Sequence, residues 1–393
     1  MTTATSTPEW LQSVLGPAPG NSPDHNPYRE LLLERGWPHA RTEGWREFPW
    51  QAFRELTGNG LHPWTEPRPS PEIERTEDLQ NNRIIVRNGA VQKGAVIDEV
   101  GCRCDFQIQD FGNLHWLDRL EASSLALLNL ASSAGTVALD LQKRDDESAA
   151  VVNLEETLQA PQAGSVVHAQ YLIRARAGAQ LTIVHRVNAT EQDVPVLYNP
   201  LILFHLEEGA KIRYIRVINA SQEVWQLGSL WAELASAADF QSDVFSFSGG
   251  VIRDEQHIRL CGEEATCGTR SLCLPREGQT HEINTNIEHA VPHTGSEQLA
   301  KYVLSDASRG HFRGRILVAR GAQKTEAHQK SAFLLLHPQA KSHTEPHLEI
   351  YADDVVCSHG ATVGQLDENQ LFYLQSRGIS QDEARMMLIL AFA

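Results

Sequence analysis

The chain has 393 residues, 41% hydrophobic and 21% charged, ordinary usage for a folded globular protein, so wholesale disorder and a small disulfide-stapled scaffold are set aside. Its net charge of −16 has the wrong sign for neutralising phosphates, which argues against nucleic acid and anionic membrane surfaces as partners. Six cysteines in a chain this long fit a reducing compartment better than a disulfide framework. With no basic, apolar leader at the start and no run near the ~20 apolar residues of a spanning helix, the expected location is cytoplasmic.

Residues 1–134 read as a mainly helical N-terminal region. A Pro-rich arm precedes helical periodicity around Tyr28 to Arg35. Trp10, Trp37, Trp45, Trp50, Trp64 and Trp116, six of the eight tryptophans, predict a compact lobe anchored by large side chains. Short strands are predicted at Arg83–Val86 and Ala95–Ile97, and a helix at Glu121–Ser132 with Leu125, Leu128 and Ala131 inward.

Residues 135–361 change character. Alternating β-branched runs recur between small-residue turns, and amphipathic helices disappear. Two segments, Leu172–Val184 and Leu203–Ile215, each run from a strand through Gly-Ala into a second strand, with Ala179 and Ala210 offset by 31 residues. A looser echo follows at Ser236-Ala-Ala-Asp-Phe240, and Ala322 and Ala340 form another pair, 18 residues apart. Such repetition suits a β-solenoid, in which each coil buries its inner face against its neighbours, although a β-sandwich carries a similar periodicity.

Residues 362–393 read as a helical hairpin. Asp367 with Gln370 and Ser380 with Glu383 have the form of capping boxes, and Gly378 supplies a stop between them. The second helix is almost wholly apolar after Arg385, so it either docks on the protein's own core or receives a partner.

Candidate chemistry lies late in the chain, where ten of the seventeen histidines follow residue 256, alongside Cys261, Cys267, Cys273 and Cys357. Cys261, Cys267 and Cys273 are six residues apart, too far along one strand to share a metal, and read as buried thiols. Cys102-Arg-Cys104 lacks the second pair of a zinc ribbon. Cys357-Ser-His359-Gly places a thiol and an imidazole on one face of a strand, half of a soft-metal site; the same pair also reads as a structural cysteine beside a satisfied histidine. Asp353 and Asp354, taken as strand neighbours, point to opposite faces and do not act as a carboxylate pair. Nucleophile-elbow, zinc-protease and phosphate-loop motifs are absent. A cytoplasmic β-helix enzyme acting on carbohydrate, with the late histidines as acid and base, is the alternative from another class, and a self-sufficient zinc protein is a third.

The stretch Leu348-Glu-Ile-Tyr-Ala-Asp-Asp-Val-Val-Cys-Ser-His-Gly-Ala-Thr-Val-Gly-Gln-Leu-Asp367 and its continuation Gln370–Ile379 resemble the SufB/SufD family of iron–sulfur cluster assembly proteins. So do His281–His289, Gly310–Val318, Ala327-His-Gln-Lys330 and, near the start, Arg35–Arg46. Cys-Ser-His-Gly-Ala-Thr looks like the SufD branch; the SufB branch typically has Glu-His-Glu-Ala-Thr. The resemblance implies a mainly β fold, a right-handed parallel β-helix core with helical N- and C-terminal regions. It implies a non-catalytic subunit of the SufBC2D scaffold, paired with SufB through the β-helix and docking the SufC ATPase on its C-terminal helices. Leu371, Phe372, Tyr373, Leu374, Met386, Met387 and Leu390 are the implied SufC-binding residues. His359, with Cys357 beside it, would face SufB across a transient iron or iron–sulfur cluster, exposed when ATP-driven SufC pairing strains the hairpins. No permanent cofactor is implied; a flavin accompanies complexes of the family, without a site assignable here, and a homodimer is a further possibility.

Overall fold

The computed structural model describes residues 8–15, 26–58, 60–64, 83–94, 102–106, 123–132, 136–144, 150–160, 162–189 and 192–393. From Thr136 onward, period-two alternation of apolar and polar residues builds strands with one face inward. The chain passes from one sheet to the other and back, so that each strand lies beside the strand two before it.

The first sheet runs Lys341–Ile350, Arg309–Val318, Thr280–His289, Val251–Leu260, Val224–Leu234, Val196–Leu206, Ser165–Ala175, Thr136–Leu141 and Cys102–Phe106, with His62–Pro63 paired to Ser165–Val166. The second runs Val356–Gly364, Glu326–Leu335, Gly295–Leu304, Thr266–Cys273, Asp239–Ser248, Lys211–Ala220, Gln180–Ala189, Ala150–Thr157, Arg83–Arg87 and Ala90–Gly94. Apart from the two pairings at the N-terminal end, all neighbours are parallel, and the result is a β-solenoid of about 7 turns. Residues Ala95–Ile97 lie outside the described residues; the strand seen beside Arg83–Arg87 is Ala90–Gly94.

One corner explains the Gly-Ala signal. Gly178, Gly209, Ala237, Glu264, His293 and Lys324 all have positive φ, one to a coil. The N–H groups of Gly178, Gly209 and Ala237 donate to Glu208, Ser236 and Glu263 carbonyls at 2.8, 2.9 and 2.8 Å, linking successive coils. The following residues, Ala179, Ala210, Ala238, Ala265, Thr294 and Thr325, are buried and form a column of small side chains. The 31-residue offset of Ala179 and Ala210 is therefore one full coil, matching the pairing of Gln180 with Lys211. Ala322 and Ala340 sit on opposite edges, before and after strand Glu326–Leu335, so their 18-residue offset spans about half a coil.

The N-terminal helices α1 (Glu9–Leu15), α2 (Pro27–Arg35) and α3 (Trp50–Gly58) join α4 (Ser124–Ser132) on the outside of the first sheet. Asn26 caps α2 by accepting from the Tyr28 and Arg29 N–H groups, and Pro27 occupies the first turn, where no N–H is needed. Trp10, Trp37, Trp45, Phe48, Trp50 and Phe53 pack ring on ring, and Trp225 of the solenoid meets Phe48 and Phe53. Trp64 packs against the solenoid core instead, and Trp116 lies outside the described residues.

Leu125 and Leu128 of α4 are buried as its periodicity predicts, but so are Ala126, Leu127, Asn129 and Leu130, while Ala131 is half-buried. The reason is that α4 is enclosed: Asn129 Nδ2 donates to the Ala169 and Asn199 carbonyls at 2.9 and 2.7 Å, and α2 packs on its other side. Arg253 lies 3.8 Å over Trp45 while paired to Glu255 and Glu282, and Arg313 binds Glu43, so charged side chains also hold the lobe to the sheet.

The solenoid interior is not uniformly apolar. Glu156 Oε2 accepts hydrogen bonds from Tyr171 at 2.6 Å and Tyr198, and lies 3.2 Å from His185 Nε2; His185 Nδ1 lies 2.8 Å from the Tyr214 hydroxyl. Beside them Arg216 and Asp254 form an ion pair with almost no exposure. Removing one partner of such a pair strands a buried charge, whereas removing both does not.

Gly209→Ala is expected to destabilise the protein by about 1 kcal/mol, because its corner demands positive φ while the new Cβ would meet only the Gly178 backbone, at an ordinary 4.0 Å. Arg216→Met is expected to cost roughly 3–5 kcal/mol, and Arg216→Met with Asp254→Leu to recover most of it. Urea unfolding of the three variants checks both.

Candidate functional site at the open end of the solenoid

Strands Lys341–Ile350 and Val356–Gly364 are the last of their sheets. Within the second sheet Cys357 pairs with Ala327, His359 with Gln329, Ala361 with Ser331 and Val363 with Phe333. In the earlier coil this inward row is buried: Ala327, Gln329, Ser331 and Phe333 are at most 4% exposed. In the last coil no described strand follows to cover it, so His359 and Ala361 are exposed and Cys357 is half-buried. The i, i+2 spacing thus does what strand geometry requires, placing thiol and imidazole on the same side at an uncovered edge.

Partial burial raises the Cys357 thiol above its ordinary range, against the opposing effect of a hydrogen bond from the Ala327 backbone, so at neutral pH the sulfur carries its proton. A metal ion binding here must displace that proton. Among the described residues no group of three or more His, Cys, Asp or Glu side chains is arranged to hold a metal, which leaves Cys357 and His359 as a two-donor edge.

The remaining late histidines do not join this edge. His281 Nδ1 lies 3.0 Å from Ser246 Oγ, and His289 lies 2.8 and 2.9 Å from the Thr294 and Ser296 hydroxyls. His257 stacks on Trp231, His311 meets Glu282, and His343 and His347 flank Glu345. His328 faces outward between Ser358 and Glu326.

Cys267 and Cys273 are buried on one strand and Cys261 sits on the turn before it; all three are free thiols. Burial drives the Cys267 and Cys273 thiols well up, and burial together with Glu233 pushes Cys261 up to about 12. Strand Cys102–Phe106 carries Cys102 and Cys104, whose side chains lie outside the described residues. Asp353 and Asp354 occupy a turn rather than a strand, and Asp354 pairs with Lys324, so alternation is not what separates them.

The C-terminal helices are α5 (Glu368–Ser376) and α6 (Gln381–Phe392). The Ser380–Glu383 capping box forms in both directions, whereas Asp367 caps α5 through the Asn369 N–H without a reciprocal bond from Gln370. Phe372, Tyr373, Met386, Met387 and Leu390 are exposed, Phe372 to 72% and Leu390 to 66%. Leu374 is half-buried, and Leu371, at 5%, is buried along with Ala384. Lys301 Nζ of the second sheet donates to the Phe392 carbonyl at 2.7 Å, tying the end of α6 to the solenoid. Among the described residues no helix is long and apolar enough to cross a membrane.

A solenoid whose last coil presents a thiol and an imidazole, followed by an apolar helical pair, defines a class that sequence comparison identifies. The family described as SUF system FeS cluster assembly, SufBD core domain, matches residues 157–392, and the chain belongs to that family. Over nearly its whole length the chain is similar to the iron–sulfur cluster assembly protein SufD of Escherichia coli, 28% identical over 374 residues, 95% of this chain and 87% of that protein. It is also 30% identical over 237 residues to a SufBD family protein of Synechocystis, covering 58% of this chain and 52% of that one. The chloroplastic protein ABCI7 of Arabidopsis thaliana is 28% identical over 228 residues, 58% of this chain and 48% of that protein. The chain's role is in iron–sulfur cluster assembly.

Sequence reasoning did not single out Gln329, although it lies in the quoted Ala327-His-Gln-Lys330. Only the pairing of coils places it beside His359.

Two outcomes follow from the titrating groups. Iodoacetamide is expected to modify Cys357 before Cys261, Cys267 or Cys273 in the native protein, faster as pH rises because the thiolate is the nucleophile; peptide mass mapping reads the order. Burial lowers His168, His281 and His289 from 6.5 to about 4, so between those values the unfolded chain takes up protons that the fold refuses. Stability is fully present above pH 6.5 and is expected to fall as pH drops toward 4, read as a declining urea midpoint.

Proposed function

We propose that this chain is a non-catalytic scaffold subunit of the SUF system. It pairs with SufB through the open end of the solenoid, docks the SufC ATPase on α5 and α6, and helps hold iron or a nascent cluster at His359. The observation that carries this reading is the inward row of the last coil, where His359 stays uncovered although its register partner Gln329 is buried. Among the described residues no strand pairs with the outer edges of the two terminal strands there, a surface onto which a second solenoid can add.

Imidazole and thiol are both donors that suit iron, and two of them leave coordination positions for a partner. The iron or cluster is cargo, received and passed on. The three regions 1–134, 135–361 and 362–393 then divide the work between lobe, scaffold and docking arm. On the docking arm the exposed Phe372, Tyr373, Met386, Met387 and Leu390 are the contact residues, with the half-buried Leu374 and the buried Leu371 beside them. SufC pairing on ATP binding would load the hairpin, whose Lys301 tether leads back to the solenoid.

In an otherwise intact complex, His359→Ala is expected to lower cluster yield at least tenfold, followed by the absorbance of the assembled cluster; undiminished yield rejects the ligand role. Phe372→Asp combined with Met387→Asp is expected to weaken SufC binding at least tenfold by calorimetry, a loss of more than ~1.4 kcal/mol. Unchanged affinity would move the docking site elsewhere.

A further inference from the structure

Along the inside of the second sheet, one register column is polar through five coils: Ser242 pairs with Thr269, Thr269 with Gln298, Gln298 with Gln329 and Gln329 with His359. Register partners on adjacent parallel strands lie about 4.8 Å apart, so each side chain in the column rests against the next. Near the open end this column has a defined direction. Thr285 Oγ1, reaching across from the first sheet, donates to Gln298 Oε1 at 2.5 Å and so fixes that amide with its nitrogen left over. Among the described residues Gln298 Nε2 is buried with no partner, and so is Gln329 Oε1. Gln298 is 1% exposed and Gln329 4%, so an unsatisfied atom on either is costly.

A carbonyl oxygen has two lone pairs. Gln329 Oε1 therefore has capacity for one donor from the coil of Gln298 and one from the coil of His359, its register partners on either side. Gly314 of the first sheet gives the amide its place: a Cβ there would come within 2.5 Å of the Gln329 amide carbon. The glycine in the family-like segment Gly310–Val318 thus has a physical reason that concerns the open end rather than its own strand.

We propose that Gln329 is a positioning residue for His359, accepting an imidazole N–H at Oε1 when the exposed ring turns inward, while Gln298 Nε2–H takes the second lone pair. This inference rests on the ligand role of His359. The bond holds the proton on the ring nitrogen facing Gln329 and leaves the other nitrogen, with its lone pair, directed out of the open end toward iron. An imidazole held in this way is a better-oriented donor than a free one. The row from Thr285 through Gln298 to Gln329 anchors it to both sheets.

The test uses the full chain with 15N-labelled histidine, at a pH where His359 is neutral, with His359→Gln identifying its signals. The ring-nitrogen shifts report the tautomer. Wild type is expected to hold one tautomer, Gln329→Glu, which can only accept, to keep it, and Gln329→Leu to lose it. Gly314→Ala, which displaces the amide without altering it, is expected to lose it as well. An unchanged tautomer in Gln329→Leu overturns the proposal; a reversed tautomer in Gln329→Glu overturns it too, since Gln329 would then be a donor.

Ferrous iron titrated anaerobically into the assembled complex supplies the second readout. Gln329→Leu is expected to bind it ten- to a hundredfold more weakly, with Gln329→Glu close to wild type. A tautomer that shifts while iron binding does not would overturn the positioning role in iron binding, whereas iron binding unchanged in His359→Ala rejects His359 as a ligand, so the two failures are separable.

Discussion

Everything in this protein depends on parallel coil-on-coil stacking, in which the inner side chains of each turn are covered by the turn that follows. Backbone hydrogen bonds run along the solenoid axis between strands two apart in sequence, and at one corner the positive-φ residues extend that ladder through the turns. The arrangement buries side chains efficiently in the middle and leaves the same row uncovered at the end. His359 and Cys357 need no special loop or strained backbone to become available; they occupy ordinary inward positions on a coil with no successor. The termination of the repeat itself creates the site.

The polar content of the interior fits the same principle. A solenoid core offers polar side chains partners mainly above, below and across, because water is excluded. Glu156 is met by two tyrosines and His185, and Arg216 by Asp254. A small apolar cavity beside His185 and Tyr214 lies among these coils and away from the open end. Farther along, Thr285 bonds Gln298, and Gln298 is followed in the register column by Gln329 and then by His359. Buried polar groups that cannot be hydrated call for polar neighbours, and the next residue in this column is the candidate ligand His359.

The two attachments to the solenoid differ in kind. The N-terminal lobe is fastened by a wide aromatic contact and by Arg253 and Arg313, which makes it an extension of the first sheet. The C-terminal hairpin keeps large apolar side chains in solvent and is tied by Lys301 at the end of α6. The first is built as a fixed cover and the second as an arm with a free face, which is the contrast expected between a structural lobe and a docking element.

Alternating strands, small-residue corners, helix caps and the Cys357–His359 pair were all legible in the sequence, because each depends on residues near one another in the chain. The repeat length was partly legible: Gly178-Ala179 and Gly209-Ala210 mark a coil, but later corners use Ala237, Glu264, His293 and Lys324, where the backbone conformation persists and the glycine does not. Half of the apolar α4 was misjudged because the local pattern shows one buried face, while α2 and the first sheet enclose both. The sequence by itself determined that the middle of the chain forms alternating strands with small-residue corners, where the hairpin begins, and that thiol and imidazole share one side of a strand; coils rather than a sandwich needed the parallel register. Only the tertiary structure decided which late histidine stands on an uncovered inward row, which cysteines are sealed in, and that Gln329 is the register partner of His359, since each follows from register between strands about thirty residues apart.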